Sequence, residues 1–188
     1  MSKTAIIYHS GYGHTQKQAE AVRDGAAGVD GSEVVLISVE DVDEKWDELN
    51  GADAIIFGAP TYMGSASAQF KEFMDKSSKV WMEHGWKGKI AAGFTNSASY
   101  SGDKLATLQQ FAVLAAQHGM IWVSLGLMPG NNSSTGSPDD LNRIGSYLGA
   151  MAQSNSDEGP DKGPSASDLE TAKVLGQRVA ETAARFSA

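Results

Sequence analysis

The residues that follow the first apolar run of the chain are suited to holding a phosphate. The run ends at Tyr8, and the Gly- and Ser-containing loop Ser10–Thr15 leads from it directly into a helical pattern. Such a junction presents unpaired backbone N–H groups at the positive end of a helix dipole. Gly11 and Gly13 let the backbone turn with positive φ and approach an anion closely, and Ser10 and Thr15 add hydroxyl donors. The loop therefore predicts a site for a phosphate-bearing cofactor.

The spacing of the glycines favours a mononucleotide over a dinucleotide. After Gly11 and Gly13 the chain continues His-Thr-Gln, so the third glycine of the dinucleotide fingerprint is missing. The second strand has no well-spaced acidic residue for a ribose, with Glu40 only a loose match, and the phosphate loop of nucleotide hydrolases, with its Gly-Lys-Ser/Thr, is absent. A cofactor with one terminal phosphate fits best.

Two further Gly-containing loops follow the third and fourth predicted strands. They are Ala59–Ser67 and Thr95–Asp103. Ligands of open α/β sheets bind at the carboxyl ends of the strands, near the point where the strand order reverses. The three loops together therefore predict one binding site along that edge. No carboxylate pair, Ser-His-Asp set or metal-ligand spacing stands out, so we assign no catalytic side chain and no metal.

Short apolar strands alternate with helical patterns along the chain, which predicts a parallel sheet with helices on both faces. The expected strands are Thr4–Tyr8, Glu33–Val39, Ala54–Gly58, Ile90–Thr95 and Ile121–Leu125. The expected helices are His14–Ala27, Asp41–Leu49, Ser67–Ser78, Lys104–His118 and Leu169–Ala184.

A long polar segment, Met128–Asp168, interrupts this alternation. It is rich in Gly, Ser, Asn, Asp and Pro and contains one apolar stretch, Tyr147–Ala152. A loop of this length in a compact domain is usually functional or disordered. We interpret it as an insertion in the fifth strand, with Tyr147–Ala152 as the second half of that strand. The expected organisation is one domain over residues 1–188.

Composition excludes several classes of function. The chain has 188 residues, a net charge of −8 and no cysteine. The negative charge argues against binding nucleic acid or an anionic membrane surface. The missing cysteines exclude disulfides and thiolate chemistry. A signal-peptide pattern and an apolar run of the ~20 residues that span a bilayer are both lacking, so we expect a cytoplasmic protein.

The motifs taken together resemble a known family over nearly the whole chain. The sequence is similar to the flavodoxin-like quinone oxidoreductases of the Trp-repressor-binding-protein (WrbA) type, which use NAD(P)H. The matching segments are Ser10-Gly-Tyr-Gly-His-Thr15, Gly58-Ala-Pro-Thr-Tyr-Met-Gly64, Gln69-Phe-Lys-Glu-Phe-Met-Asp75, Trp81…Gly88-Lys89, His118-Gly-Met120 and Tyr147-Leu-Gly-Ala150. The resemblance implies a flavodoxin-like three-layer sandwich with a five-stranded parallel sheet in the order 2-1-3-4-5.

The same resemblance implies FMN as cofactor, NAD(P)H as electron donor, a quinone as acceptor and a homo-oligomer, either a dimer or a tetramer. The phosphate would be held by Ser10, Gly11, Tyr12, Gly13, His14 and Thr15. The isoalloxazine would be lined by Pro60, Thr61, Tyr62, Met63 and Gly64, and by the loop Thr95, Asn96, Ser97, Ala98, Ser99, Tyr100 and Ser101, with His118 as a further contact. The substrate side would receive Tyr12 and, from a neighbouring subunit, Trp81.

Some positions depart from the family pattern and keep alternatives open. Tyr62-Met63 replaces the usual basic or aromatic pair, and the loop Thr95–Asp103 is bulkier and longer, which narrows the pocket over the ring. Trp81 is equally compatible with packing, and His118 sits at a helix end, where a His favours the dipole. The alternative functions are a flavodoxin-type electron carrier and an FMN-binding protein with little turnover.

Overall fold

The fold is described by a computed structural model for residues 1–186. Its strands are β1 Ser2–Tyr8, β2 Ser32–Ser38, β3 Ala54–Tyr62, β4 Ser65–Ala66, β5 Ile90–Ser97, β6 Ile121–Trp122 and β7 Ala150–Gln153. Its α-helices are α1 His14–Ala27, α2 Trp46–Asn50, α3 Ala68–Lys76, α4 Ser78–Met82, α5 Lys104–Gln117 and α6 Ala166–Phe186, and a 3₁₀-helix covers Val39–Glu44.

The sheet confirms the predicted topology. Its main path is β2-β1-β3-β5-β6, and every neighbouring pair on this path is parallel. β6 and β7 both pair with β5, β6 at Ile90 and Ala91 and β7 from Phe94 onward. The insertion therefore divides the fifth strand into two segments, as expected. The sheet has seven strands rather than five because β4 forms a short hairpin with β3 and the predicted fifth strand consists of two separate strands, β6 and β7.

Several element boundaries differ from the prediction by a few residues: β3 extends to Tyr62 rather than Gly58, and β7 covers Ala150–Gln153 rather than Tyr147–Ala152. Three further differences concern two helices and β6. The expected helix Asp41–Leu49 is a 3₁₀-helix followed by the short α2. The expected helix Ser67–Ser78 is divided at Ser77, whose hydroxyl donates to the Met74 carbonyl at 2.7 Å. β6 ends at Trp122; beyond it the Val123 N–H still donates to the Ala91 carbonyl at 2.7 Å, and the Leu125 N–H donates to the Tyr147 carbonyl of the insertion at 3.1 Å.

The core has one layer on each face of the sheet. An aromatic cluster that includes Phe57, Trp86 and Phe111 lies on one face. The other face packs against α1 and α6, which cross closely at two glycines. A Cβ on Gly25 would lie 1.9 Å from the Lys173 carbonyl oxygen, so only glycine permits this crossing. The packing fixes α1, and with it the loop that precedes the helix.

None of the helices within residues 1–186 is long and apolar enough to cross a membrane.

Candidate cofactor site

The three predicted loops line one cleft at the carboxyl edge of the sheet. Its volume is about 520 Å³, within the roughly 300–1,000 Å³ of small-molecule sites. It brings together ten of the predicted residues: Ser10, Tyr12, His14, Thr15, Pro60, Thr61, Tyr62, Asn96, Ser97 and Ala98. The convergence follows from the register of the sheet, because Pro60 and Asn96 are the last paired residues of neighbouring parallel strands.

One end of the cleft is the amino terminus of α1. Gly13 precedes the helix with φ of 89°, a left-handed conformation that favours glycine. The Ser10 hydroxyl oxygen accepts hydrogen bonds from the N–H groups of Gly13 and Gln16, both at 3.1 Å. Its own proton stays available to a ligand. Ser10, which was predicted as a hydroxyl donor to the phosphate, therefore also stabilises the conformation of the Ser10–Thr15 loop.

The same end of the cleft holds donors that are suited to a phosphate. His14 and Thr15 are the first two residues of α1, where a helix offers N–H groups with no intrahelical acceptor. The Thr15 side chain is buried and lines the cleft. The His14 Nε2 atom is buried and has no hydrogen-bond partner among residues 1–186. An anion with several oxygen acceptors fits this set of donors.

Tyr62 forms an aromatic wall above the Ser10–Thr15 loop. Its ring meets the Tyr12 ring edge-on at 6.3 Å. A Cβ on Gly11 would lie 2.5 Å from the Tyr62 hydroxyl, so the glycine permits the two loops to approach. Burial raises the pKa of the Tyr62 hydroxyl, which therefore stays protonated at neutral pH.

Met63 and Gly64 do not line this cleft. They form the two-residue turn between β3 and β4, both with positive φ, as a type I′ hairpin requires. The Met63 side chain is fully exposed. The sequence pattern Tyr-Met-Gly-Ser indicated two large residues over a ring, whereas the turn directs only Tyr62 into the cleft.

Thr61 and Thr95 belong to a buried chain of hydroxyl groups. The Thr61 Oγ1 atom lies 2.8 Å from Oγ1 of Thr95 and 2.8 Å from Oγ1 of Thr107. Thr95 is completely buried and does not line the cleft. The Thr61 hydroxyl is thus engaged below the cleft floor, and this chain ties β3 to β5 and α5.

The Asn96–Ser101 loop encloses a buried lysine that the sequence analysis did not single out. Lys104 is completely buried, and its ammonium donates to the Ser97 hydroxyl at 2.8 Å and to the carbonyls of Ser99 and Tyr100 at 2.7 and 2.8 Å. Burial lowers the pKa of this ammonium to about 8. The sequence feature that could have singled it out is its position in the first turn of α5, where a lysine opposes the helix dipole.

Ser99, Tyr100 and Ser101 lie outside the cleft, on the outer part of the loop. The Tyr100 ring turns toward the insertion, where the Arg143 guanidinium lies 5.4 Å from its centroid. Arg143 in turn forms a buried ion pair with Asp168, at 2.7 Å. The loop is therefore supported by Lys104 from below and by Arg143 from the side.

The chain after β7 supplies a wall of the cleft that the sequence analysis missed. Its lining residues are Ser154, Asn155, Ser156, Glu158 and Gly159. The Ser154 hydroxyl donates to Asn96 Oδ1 at 3.1 Å, and a Cβ on Gly13 would lie 2.8 Å from Pro160 Cγ. The polar composition of the insertion indicated a functional loop without showing where it folds.

Trp81 and His118 lie away from the cleft, at the amino-terminal edge of β5. His118 is buried, its ring centroid lies 4.4 Å from that of Trp86 with the two rings tilted by 35°, and its Nε2 atom lies 2.9 Å from the Ser77 hydroxyl. Burial lowers the pKa of the His118 imidazole. Trp81 is 49% exposed beside it in a shallow groove. Within one chain neither residue reaches the predicted site, because the sheet separates its two edges.

The fold and the cleft define a flavodoxin-like α/β protein with a nucleotide-type site. The family model described as NADPH-dependent FMN reductase matches residues 36–132. A crystal structure titled a flavodoxin, WrbA-like protein, from Agrobacterium tumefaciens superimposes with a TM-score of 0.78 and 44% identity, covering 99% of each chain.

Two curated relatives extend the comparison. Flavodoxin FldP of Pseudomonas aeruginosa is 48% identical over 181 residues, covering 96% of this chain and 96% of the relative. NAD(P)H dehydrogenase (quinone) of Archaeoglobus fulgidus is 36% identical over 209 aligned positions, covering 99% and 100%. The chain therefore belongs to the NADPH-dependent FMN reductase family and is of the flavodoxin-like, WrbA type.

Proposed function

We propose that this protein is an FMN-dependent oxidoreductase that passes two electrons from NAD(P)H to a quinone. The observation that carries the proposal is the cleft at the carboxyl edge of the sheet, which joins a helix amino terminus suited to an anion to an aromatic wall. The buried, unpartnered His14 Nε2 atom at the phosphate end fits the terminal phosphate of FMN. The Archaeoglobus fulgidus relative, named an NAD(P)H dehydrogenase (quinone), supports the choice of substrates.

Bound FMN would supply the redox chemistry, and the residues of the chain would bind and orient it. Ser10, His14 and Thr15 would hold the phosphate at the start of α1. Tyr62 and Pro60 would lie along the ring, since both line the cleft next to that loop. We assign no acid or base to the protein, because the quinone oxygens can take protons from water. The enzyme then acts by positioning and by excluding other acceptors.

The substrate side of the site requires a second copy of the chain. Tyr12 is 77% exposed beside the cleft and is available to a nicotinamide. Trp81 and His118 would contribute only from a neighbouring chain. Exposed apolar side chains lie near Trp81, among them Met82, which is 67% exposed. We therefore propose a homo-oligomer, a dimer or tetramer, in which this surface is covered.

A flavodoxin-type electron carrier is the second candidate. It is favoured by the name of the Pseudomonas aeruginosa relative and by the net charge of −8, which suits docking to basic redox partners. The two candidates differ in one property. An oxidoreductase reacts with NAD(P)H directly, whereas a carrier needs a separate reductase.

The test begins with the absorbance spectrum of the purified protein, which reports bound flavin. NADH or NADPH is then added under anaerobic conditions, with benzoquinone as acceptor. The proposal expects the protein to catalyse many turnovers, in each of which one NAD(P)H is oxidised and one quinone is reduced. Flavin that stays oxidised in NAD(P)H, but is reduced once a ferredoxin reductase is added, would establish the carrier instead.

The role of Trp81 is tested separately. Trp81→Ala should raise KM for NAD(P)H or quinone, because flat substrates lose a stacking surface, while FMN affinity stays nearly unchanged. Phe186→Ala is the matched control, since it removes an exposed aromatic side chain at the end of α6, outside the groove beside Trp81. Unchanged quinone kinetics in Trp81→Ala, or a mass of one chain by light scattering, would refute the proposed substrate side.

A further inference from the structure

One acidic residue lines the cofactor cleft. Among the lining residues within positions 1–186, Glu158 is the only one with a formal charge, and the others are neutral apart from His14, which is charged only when protonated. Lys104 lines a different pocket. A phosphate in this cleft is therefore bound by neutral donors, whereas proteins commonly place arginine or lysine beside such a group.

The segment that carries Glu158 is anchored on both sides of the cleft. At its beginning, the Gln153 side-chain amide donates to the Ala98 carbonyl at 2.9 Å. At its end, Pro160 lies so close to the start of α1 that a Cβ on Gly13 would lie 2.8 Å from Pro160 Cγ. Glu158 is therefore held beside the cleft by contacts with the loop after β5 and with the loop before α1.

The carboxylate of Glu158 is oriented by a neutral side chain. Asn155 Nδ2 donates to Glu158 Oε2 at 2.9 Å. Asn155 Oδ1 in turn accepts a hydrogen bond from the Gln153 side-chain amide at 3.0 Å. An amide donor fixes the position of a carboxylate without cancelling its charge.

The basic side chains that share a pocket with Glu158 already have acidic partners. Arg143 and Lys162 line a smaller pocket together with Glu158. Arg143 is paired with Asp168 at 2.7 Å, and the Lys162 ammonium lies 3.9 Å from an Asp161 carboxylate oxygen. Glu158 takes part in no salt bridge within the described part of the chain. Its negative charge is thus left to act on whatever enters the cleft.

The size of the cleft brings every ligand within range of this charge. The cube root of its volume of about 520 Å³ gives a width of about 8 Å, which is also the screening length at physiological ionic strength. Glu158 is exposed to water, which weakens its field. The expected effect of Glu158 on one unit charge at this distance is therefore a change of about two- to fivefold in affinity.

We propose that Glu158 is a specificity-determining residue, which makes the site select quinones that carry no anionic group. The inference rests on the proposed function, because a quinone has to enter this cleft to reach the flavin. An uncharged quinone loses nothing to the carboxylate, whereas a quinone with a sulfonate or carboxylate group is repelled by it. The substrate class is therefore an uncharged quinone, and the same repulsion weakens the binding of the FMN phosphate.

The effect on FMN is measured first, without turnover. Glu158→Gln removes the charge and keeps both the size of the side chain and an acceptor for the Asn155 amide. At low ionic strength, FMN affinity in a fluorescence titration should rise about fivefold in this variant, because the phosphate is also negatively charged. Riboflavin, which has the same ring and no phosphate, should bind as it does to the wild type. Asp157→Asn is the matched control: it removes the carboxylate of the adjacent residue, which does not line the cleft, and should have a much smaller effect.

Quinone specificity is measured next, as kcat/KM for naphthoquinone and for naphthoquinone sulfonate at saturating NADH or NADPH. Comparing each variant with the wild type for the same quinone cancels the difference between the redox potentials of the two quinones. Glu158→Gln should raise kcat/KM for the sulfonate about threefold and leave that for naphthoquinone unchanged. Glu158→Lys, which reverses the charge, should raise the value for the sulfonate about tenfold. Both changes should become small in about 1 M salt, where the screening length is only about 3 Å.

The outcomes separate this inference from the proposed function. Wild-type protein that binds FMN but oxidises no NAD(P)H with either quinone would overturn the proposed function, while the effect of Glu158 on FMN affinity would stand. Turnover in which Glu158→Gln changes both quinones equally, or changes neither, would overturn the quinone specificity alone. Equal effects of Glu158→Gln and Asp157→Asn, or effects that persist in high salt, would also refute the role of Glu158, because they would reflect net charge or conformation instead.

Discussion

The buried ion pair between Arg143 and Asp168 yields a sharp prediction of stability. Its side chains are only 6% and 2% exposed. Arg143 donates from Nε to Asp168 Oδ1 at 2.8 Å and from its terminal nitrogen to Oδ2 at 2.7 Å, and the Gln153 N–H donates to Oδ2 at 2.9 Å. The carboxylate thus joins the insertion, β7 and the start of α6.

Asp168→Asn removes the charge with little change of shape and leaves the guanidinium buried without a counter-ion. Removing one partner of a buried pair costs about 3–5 kcal/mol. For a chain of this size each kcal/mol lowers the melting temperature by about 2–4 °C, so the expected decrease is roughly 6–20 °C. Calorimetry and urea unfolding of the protein without FMN would measure it.

Two further variants make the reasoning refutable. Asp75→Asn breaks the exposed pair of Asp75 with Lys71, whose side chains are 71% and 56% exposed, and should leave stability almost unchanged. The double variant Arg143→Met/Asp168→Leu should regain most of the loss, except for the cost of the unpaired Gln153 N–H. A loss in Asp168→Asn no larger than that in Asp75→Asn would contradict the structural account.

Three other predictions concern the cleft, the hairpin and pH. Thr15→Val should weaken FMN binding by about 1.5–3 kcal/mol in a fluorescence titration, because it removes a donor to a charged phosphate. Met63→Asn should stabilise the protein by up to about 1 kcal/mol in urea unfolding, because Asn tolerates the observed φ of 48° better than Met. Burial lowers the pKa of His118 and of His9, so these imidazoles stay neutral in the folded chain. The unfolded chain binds the protons first, near pH 6.5, and stability should therefore fall as the pH drops below about 6.5.

Each of these predictions has its own control. Unchanged FMN affinity in Thr15→Val would remove the loop Ser10–Thr15 from the site. Met63→Asn should leave FMN affinity as it is, since the side chain is fully exposed; a large loss would place Met63 against the ring after all. For the pH effect, the slope of stability between pH 5 and 7 should be smaller in His118→Gln, and an unchanged slope would contradict the assignment.

Much of the fold follows from patterns that are local in sequence. Helix α1 covers His14–Ala27 as predicted, because an apolar strand, a Gly-containing loop and a helical stripe adjoin one another there. The insertion was recognisable because its composition breaks the βα alternation. The ten predicted residues that share the cleft follow from the parallel sheet, which brings the carboxyl ends of its strands together.

The missed features depend on long-range geometry. Met63 was expected over the ring, but the turn formed with Gly64 points it into solvent, and the hairpin partner that makes this turn was not predicted. The wall that begins at Ser154 required knowing that the insertion returns over the start of α1. Trp81 and His118 are distant from the cleft because α4 and the end of α5 lie at the other edge of the sheet.

Lys104 illustrates the strongest limit on inference from the sequence. Lysine is almost never completely buried, so its presence in an amphipathic pattern predicts a solvated side chain. What buries it here is the loop that precedes α5, whose carbonyls turn inward only because the ammonium is there to receive them. Loop and lysine are thus each explained by the other, and neither conformation follows from local propensity. The conflict between a cation and the first turn of a helix was visible in the sequence, and such conflicts tend to occur at functional sites.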